Sequence, residues 1–137
     1  MASQALIDGL NRQLGREITT FLRYMAQAAA IAKFEHDSVR KMYLEEVTDE
    51  VGHAQYLMNQ IVMLGGAPTP EIHFESPPRD VREMLRCDAS QEETDVQNYV
   101  QLAGLAEQEG LYALKLKMEE QAADEDEHRW EMRRAVG

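Results

Sequence analysis

The chain has 137 residues, enough for one domain that buries roughly two-thirds of the surface its unfolded form would expose. Its 25 acidic and 14 basic side chains give a formal net charge of −11, and no basic stripe offsets it, so nucleic acid is not an expected partner. Cys87 is the only cysteine, which excludes an intrachain disulfide and favours a reducing compartment. No apolar run approaches the roughly 20 residues of a membrane span, and no signal peptide is evident, so we expect a cytoplasmic protein without membrane partners.

The spacing of apolar residues predicts four long helices, the first over roughly residues 3–33 and the second over roughly residues 37–64. The inward positions of the first helix step by three and four, and they are Leu10, Leu14, Glu17, Phe21, Tyr24, Ala28 and Ile31. Those of the second helix are Val47, Glu50, Ala54, Leu57, Ile61 and Leu64.

Residues 65–80 read GGAPTPEIHFESPPRD and show no helical period, so this segment is too long for a tight turn and suits a crossover along a bundle. The third helix is predicted over roughly residues 79–107 and the fourth over 111–135, with a break near Gly110. Their inward positions are Val81, Leu85, Asp88, Glu92, Tyr99, Ala103 and Ala106, then Leu111, Leu114, Met118, Ala122, Glu125, His128 (or Arg129) and Met132. The sequence therefore predicts an all-α four-helix bundle with one long crossover, forming a single domain over residues 1–137.

Each predicted inward stripe carries one glutamate near the middle of its helix, and two stripes add a histidine one turn later. These residues are Glu17, Glu50, His53, Glu92, Glu125 and His128. A single Glu-x-x-His in so acidic a chain is more often a solvated surface than a ligand pair. Four inward carboxylates at the same level are different, because burying them bare would cost many kcal/mol unless a cation lies between them. The pattern therefore favours a metal site.

The ligand types restrict the metal. Four carboxylates and two imidazoles form a hard, oxygen-rich site that suits iron or manganese rather than a closed thiolate zinc site. Six residues with carboxylates able to bridge suit two ions, and four negative ligands balance two divalent charges.

These features together resemble the bacterioferritins, within the ferritin-like di-iron carboxylate proteins, from about Leu6 to Met132. The segments that carry the resemblance are LIDGLNRQLGREI with Tyr24 seven residues after Glu17, DEVGHA, LGGAP, VREMLRCD with Glu92 four after Asp88, and DEDEH. The resemblance implies that Glu17 and His53 bind one iron, that Glu92 and His128 bind the other, and that Glu50 and Glu125 bridge them. Glu93 is the rival of Glu92, but it falls off the inward stripe.

The resemblance gives Tyr24 a place beside the metals as a hydrogen-bond donor or electron source, although a core aromatic with a satisfied hydroxyl is an equal alternative. It also marks Glu46 and Asp49 as acidic positions on a path for iron. The implied function is that of a ferroxidase, which oxidises Fe(II) to Fe(III) with O2 or H2O2 for iron storage or detoxification. Two iron ions per chain are implied, and a mixed manganese–iron pair would use the same ligands.

The resemblance further implies a homo-oligomer, at least a dimer through the first two helices and, in the family, a 24-subunit shell. Two departures matter. Val51 stands where bacterioferritins carry their haem-ligand methionine, so haem is not expected. The short fifth helix of the shell is not expected either. The alternative is therefore a dimeric di-iron oxidase or peroxidase of the rubrerythrin type, and a third reading is a helical interaction module with solvated carboxylates. Gly52 predicts close packing of two copies of the second helix, or is simply tolerated.

Overall fold

The computed structural model describes residues 2–78 and 80–137. Within them the α-helices are α1 (Gln4–Ala30), α2 (Asp37–Met63), α3 (Val81–Gln108) and α4 (Tyr112–Val136), and a single 3-10 turn, Phe34–His36, leads into α2. The all-α four-helix bundle is confirmed, and the predicted helix ends differ from the observed ones by at most three residues. The predicted start of the third helix, Arg79, lies outside the described residues. No described helix combines the length and apolar character that a membrane crossing requires.

Local signals place the ends of the helices. Ser3 caps α1, because its hydroxyl oxygen accepts a hydrogen bond from the Leu6 amide at 3.2 Å. The amide and the hydroxyl of Ser3 also donate to the carboxylate of Glu109, each at 2.7 Å, which ties the start of α1 to the turn between α3 and α4. Asp80 caps α3 in the same way, and Gly110 supplies the positive φ of 73° that the next turn needs.

The described part of the crossover, residues 64–78, follows the outside of α1 in the same direction as the helix. The Asn11 side chain donates to the Ala67 carbonyl at 3.1 Å and accepts from the Thr69 amide at 2.6 Å. Two turns later, the Thr19 hydroxyl accepts a hydrogen bond from the His73 amide at 3.2 Å. The crossover therefore returns the chain along the bundle. The main helix packing is between α1 and α2 and between α3 and α4.

The buried apolar side chains form two clusters. The first contains Leu6, Leu10, Leu14, Ala54, Leu57, Ile61, Tyr99, Leu102, Ala103, Ala106, Leu114, Met118 and Ala122. The second contains Tyr24, Ala28, Ile31, Tyr43, Met84, Leu85, Ala89 and Met132. In every helix the six predicted metal ligands fall between the residues of the two clusters. The candidate site is therefore a polar layer inside an otherwise apolar core.

Gly15 provides a test of how the crossover packs on α1. A Cβ at this position would stand 2.4 Å from the carbonyl oxygen of Glu71, and backbone cannot rotate away as a side chain can. We therefore expect Gly15→Ala to lower the free energy of unfolding by about 1–3 kcal/mol in urea denaturation. Gly104 in α3 is the matched control, because no atom of the described residues beyond its chain neighbours and the adjacent backbone of its own helix lies within 4 Å of its Cβ position. Gly104→Ala should be neutral or stabilising by up to about 1 kcal/mol. Equal stability of Gly15→Ala and wild type would contradict the close approach.

Candidate metal centre

The fold brings the six predicted metal ligands together in the polar layer, where none is more than 5% exposed. They form two overlapping groups of four, in each of which the potential ligand atoms lie within 4.8 Å of one another. One group is Glu17, Glu50, His53 and Glu125, and the other is Glu50, Glu92, Glu125 and His128. Glu50 and Glu125 belong to both groups and lie between the two outer pairs.

The two outer glutamates each have one oxygen held and one oxygen free. Oε1 of Glu17 accepts hydrogen bonds from the Tyr99 hydroxyl at 3.0 Å and from Nε2 of Gln13 at 2.8 Å. Oε1 of Glu92 accepts a hydrogen bond from the Tyr24 hydroxyl. Oε2 of both glutamates is buried without a hydrogen-bond partner. The tyrosines thus fix each carboxylate and leave one oxygen available to a ligand.

The two central glutamates differ, because all four of their carboxylate oxygens are buried and unpaired. Nδ1 of His53 lies 3.0 Å from Oε1 of Glu125, and Nδ1 of His128 lies 3.2 Å from Oε1 of Glu50. Neither contact has the alignment of a hydrogen bond, so Nδ1 of both histidines also lacks a hydrogen-bond partner. Central glutamates with two free oxygens each have the geometry required to bridge two cations.

Each histidine is oriented by an aspartate outside the cluster. Nε2 of His53 lies 2.9 Å from Oδ2 of Asp124, and Nε2 of His128 lies 2.9 Å from Oδ2 of Asp49. A carboxylate on one imidazole nitrogen directs the other nitrogen inward and makes it a better ligand, as in many metal sites. Asp49, read from the sequence as an acidic position on an iron path, therefore also positions His128.

The electrostatics of the cluster show a deficit of positive charge. Burial, together with the negative charge of Glu17, raises the pKa values of Glu50 and Glu125 well above their usual range. Burial alone would lower the pKa of His128, but Glu92 and other nearby carboxylates raise it to about 11. The metal-free protein therefore holds protons where a cation would otherwise supply the charge.

Two other buried carboxylates provide a contrast, because each is paired with an arginine. Asp88 accepts hydrogen bonds from Nε of Arg23 at 2.8 Å and from the Tyr43 hydroxyl at 2.7 Å. Asp95 accepts one from Nε of Arg16 at 2.7 Å. Among the described residues, no arginine or lysine forms a salt bridge with the four glutamates of the cluster. Eight unpaired atoms from six residues converge there instead, and they fit divalent cations.

The structure also decides between residues that the sequence left as alternative inward positions. Glu93 is exposed and pairs with Arg133 at 3.1 Å, so Glu92 is the residue of this pair that enters the cluster. Arg129 pairs with Asp126 on its own helix at 2.8 Å, whereas His128 points inward. Cys87 is exposed.

Residues that the sequence interpretation missed form the shell around the cluster. Tyr99, Asp124 and Gln13 orient ligand candidates, but the sequence analysis gave Tyr99 only an inward position and gave Asp124 and Gln13 no role. A constant offset in the sequence would have found two of them, because the site residues of α1 and α2 recur 75 positions later in α3 and α4. The matching pairs are Glu17 and Glu92, Tyr24 and Tyr99, Asp49 and Asp124, Glu50 and Glu125, and His53 and His128.

Known proteins resemble this chain in sequence and fold. A family model described as Ferritin, ferritin-like domain, matches residues 7–137. The bacterial non-heme ferritin of Staphylococcus aureus (strain USA300) is 27% identical over 119 residues, which cover 82% of this chain and 69% of that relative.

Solved structures agree with this match. A crystal structure of ferritin-like, diiron-carboxylate proteins from Bacillus anthracis str. Ames has a TM-score of 0.92 and 31% identity, covering 98% of this chain and 96% of its own. The Chlorobium tepidum ferritin, with a TM-score of 0.86 over 99% of this chain and 84% of its own, is only 20% identical and shows the fold alone.

Glu46, one turn before Glu50, gives the metal-free protein a testable pH dependence. It is 2% exposed, and burial together with the nearby carboxylates of Glu92 and Glu131 raises its pKa to about 9, against the opposing effect of His128. A raised pKa means that the folded state keeps a proton that the unfolded state loses above about pH 4.5, so stability falls as pH rises toward 9. We expect Glu46→Gln to remove up to about 1.4 kcal/mol per pH unit of this slope between about pH 6 and pH 8.

The measurement is urea denaturation in the presence of a chelator at several pH values. Glu45→Gln is the control, because Glu45 is the exposed neighbour of Glu46 on α2. An unchanged slope in Glu46→Gln would show that Glu46 is not protonated in the folded state at neutral pH.

Proposed function

This chain is a member of the ferritin family of ferritin-like domains, and on that basis we propose that it is a bacterioferritin-like ferroxidase that oxidises Fe(II) to Fe(III) with O2 or H2O2. The observation that supports the proposal most is the convergence of eight unpaired, buried ligand atoms from four glutamates and two histidines. Iron storage or detoxification would be the purpose of the reaction. The non-heme ferritin and diiron-carboxylate names of the relatives are consistent with it.

In the proposed reaction, two Fe(II) ions per chain are the substrate. Glu17 and His53 would bind one ion, Glu92 and His128 the other, and Glu50 and Glu125 would bridge them. Two Fe(II) ions supply two electrons, which with two protons reduce H2O2 to two waters or O2 to H2O2. The chain's part is to hold both ions close and to leave coordination positions open for the oxidant. A manganese–iron pair would fit the same ligands, and no role for haem is proposed.

Tyr24 is proposed to act from beside the metals. Its hydroxyl donates to Oε1 of Glu92, so it keeps the free oxygen of that carboxylate aimed at the cluster. Its ring is fully buried and lies 5.0 Å, centroid to centroid, from that of Tyr43. A hydrogen-bonded phenol in contact with a ligand can position the carboxylate or supply an electron.

An oligomer is the proposed form of the protein, at least a dimer through α1 and α2. Leu44, Val51 and Val62 lie on one face of α2 at helical spacing and are 44%, 46% and 60% exposed. Beside them, Gly52 has no atom of the described residues within 4 Å of its Cβ position, apart from its chain neighbours and the adjacent backbone of its own helix, so packing inside the chain does not explain a helix-interior glycine. A second copy of α2 would cover the apolar face and use the space at Gly52. A 24-subunit shell would extend such dimers.

Neighbouring glutamates on α3 provide a matched pair of variants for the proposed ferroxidase. Glu92→Gln removes a charged ligand, so we expect Fe(II) oxidation to slow by at least about tenfold and metal binding to drop by about one ion per chain. Glu93→Gln, at an exposed pair with Arg133, should change neither. Oxygen consumption and anaerobic Fe(II) titration measure the two effects. Wild-type protein without Fe(II)-dependent oxygen consumption above buffer would refute the ferroxidase proposal.

Tyr24→Phe tests the role of the phenol. We expect Fe(II) binding in the usual number and a rate of oxidation reduced by about threefold to tenfold, because Glu92 loses the donor that orients it. Tyr112→Phe, at a tyrosine that is 70% exposed, is the control. If both variants oxidise Fe(II) at the wild-type rate, Tyr24 is a core aromatic and no more.

Storage is separated from simple oxidation by size and iron content. The measurement is size-exclusion chromatography with light scattering, before and after addition of Fe(II) and oxygen. For a storage protein, we expect a particle far larger than a dimer, and this particle should retain many irons per chain. A dimer that turns over peroxide and keeps about two irons per chain would refute storage and support the alternative, a dimeric di-iron oxidase or peroxidase of the rubrerythrin type.

A further inference from the structure

A hydrogen-bonded network of four side chains, Arg16, Asp95, Gln13 and Glu17, leads from the surface of the bundle to the metal cluster. Asp95 of α3 is 1% exposed, and its Oδ1 accepts hydrogen bonds from Nε of Arg16 at 2.7 Å and from Nε2 of Gln13 at 3.1 Å. The same Nε2 of Gln13 also donates to Oε1 of Glu17 at 2.8 Å. Gln13 therefore links Asp95 to a candidate metal ligand.

The outer end of the network is fixed near the surface. The Arg16 side chain is 33% exposed, and its Nη2 donates to the side-chain oxygen of Gln91 at 3.0 Å. This contact and the one from Nε to Asp95 orient the guanidinium, which in turn fixes the position of Oδ1 of Asp95. Because the charges of Arg16 and Asp95 are opposite and adjacent, the pair adds little net charge to the cluster.

The surroundings of Gln13 determine which way its side-chain amide points. The amide oxygen accepts a hydrogen bond from Nδ2 of Asn98 at 3.2 Å, and the amide nitrogen donates to both Glu17 and Asp95. A flipped amide would place its oxygen against two carboxylates and its nitrogen against another amide nitrogen. Asp95 and Asn98 thus hold the amide in the orientation in which it donates to Glu17.

The orientation of Glu17 depends on this amide. Oε1 of Glu17 accepts hydrogen bonds from the Tyr99 hydroxyl and from Gln13, whereas Oε2 is buried without a hydrogen-bond partner and is the oxygen available to a cation. A single donor on Oε1 would leave the carboxylate free to rotate about that contact, and two donors from different directions do not. The direction of Oε2 is therefore set in part by Gln13.

We propose, on the basis of the proposed function, that Asp95 is a positioning residue of the metal centre. Held by Arg16, it fixes the amide of Gln13, and that amide aims Oε2 of Glu17 at the cluster. Two buried carboxylates that share one donor repel each other, and both have lost the water that would solvate them. An apolar residue at position 95 would avoid these costs, so stability of the bundle does not by itself explain Asp95.

Asp95→Ala and Asp95→Asn form a matched pair for the test. Both variants remove the charge and leave Arg16 without its counterion, but only asparagine keeps an oxygen at the point where the donors of Arg16 and Gln13 meet. Co(II) is the probe, because it binds oxygen and nitrogen ligands, reports its coordination by visible absorption and does not undergo the ferroxidase reaction. In calorimetric titrations, Asp95→Ala should bind Co(II) about threefold to tenfold more weakly than Asp95→Asn. The absorption bands of bound Co(II) should shift in Asp95→Ala and stay at their wild-type positions in Asp95→Asn.

Gln13→Leu tests the route through the amide. Leucine is similar in size but has no donor, and the substitution leaves the pair of Arg16 and Asp95 in place, so the Co(II) affinity should fall about tenfold. The double variant Gln13→Leu, Asp95→Ala should lose no more affinity than Gln13→Leu alone, because Asp95 acts only through the amide. If Asp95→Ala does not fold, Gln13→Leu and Asp95→Asn, each compared with wild type, carry the same test.

Asp88→Ala separates positioning from stability. Asp88 is as buried as Asp95 and also accepts a hydrogen bond from an arginine, but among the described residues its partners Arg23, Gln27 and Tyr43 make no hydrogen bond to a ligand candidate. Both alanine variants should lower the free energy of unfolding in urea, because each leaves a buried arginine unpaired. Only Asp95→Ala should change the affinity for Co(II) and its absorption.

The outcomes distinguish this inference from the proposed function. Equal Co(II) affinity and absorption of Asp95→Ala and Asp95→Asn, wild-type affinity of Gln13→Leu, additive losses in the double variant, or an equal loss in Asp88→Ala would each overturn the positioning role. All of these results would leave the ferroxidase proposal intact. Wild-type protein that binds neither Co(II) nor Fe(II) at the cluster would instead overturn the proposed function and this inference together.

Discussion

The whole structure is arranged around the burial of four carboxylates that, among the described residues, no arginine or lysine neutralises. Glutamates in a protein interior are costly unless they are paired, protonated or bound to a cation. Here they are placed between two apolar clusters, and every helix contributes one of them. The packing of the bundle and the chemistry of its centre are therefore linked, because the apolar clusters that stabilise the helices also remove water from the carboxylates.

The surrounding hydrogen bonds orient the glutamates and histidines, but they do not neutralise the negative charge of the carboxylates. Tyr24 and Tyr99 each hold one oxygen of an outer glutamate, and Asp49 and Asp124 each hold the outer nitrogen of a histidine. Among the described residues, no donor binds the carboxylate oxygens and imidazole nitrogens that face the centre of the cluster. The same protein pairs its buried aspartates Asp88 and Asp95 with arginines, whereas the glutamates of the cluster have no such partner among the described residues.

The near-repetition of the two helix pairs gives this arrangement a pseudo-symmetry, and the departures from it are informative. The contacts of the two tyrosines and two aspartates cross between the halves, so neither half orients its ligands alone. At Glu46 and Gln121 the symmetry is broken, because a buried carboxyl of α2 corresponds to a buried amide of α4.

Much of the candidate site could be read from the sequence, because helical periodicity fixes which residues share a face. The spacing of three between Glu and His, the equal level of four glutamates and the preference for Glu92 over Glu93 all follow from the pitch of a helix. The crossover was predictable in the same way, from prolines and glycines that interrupt the period. The contacts between helices were not predictable, since Tyr24 and Glu92 are distant in the chain and their hydrogen bond depends on how α1 packs against α3.

The sequence by itself therefore determined the helices, their inward faces and the identity of the six residues that meet at the centre, because these depend on local geometry repeated along each helix. Only the tertiary structure decided which atoms are held and which are free, that Asp124 and Asp49 orient His53 and His128, and that Gln121 is buried without a partner. Those facts depend on distances between separate helices, which are set by the packing of the whole bundle and have no signature in any single segment.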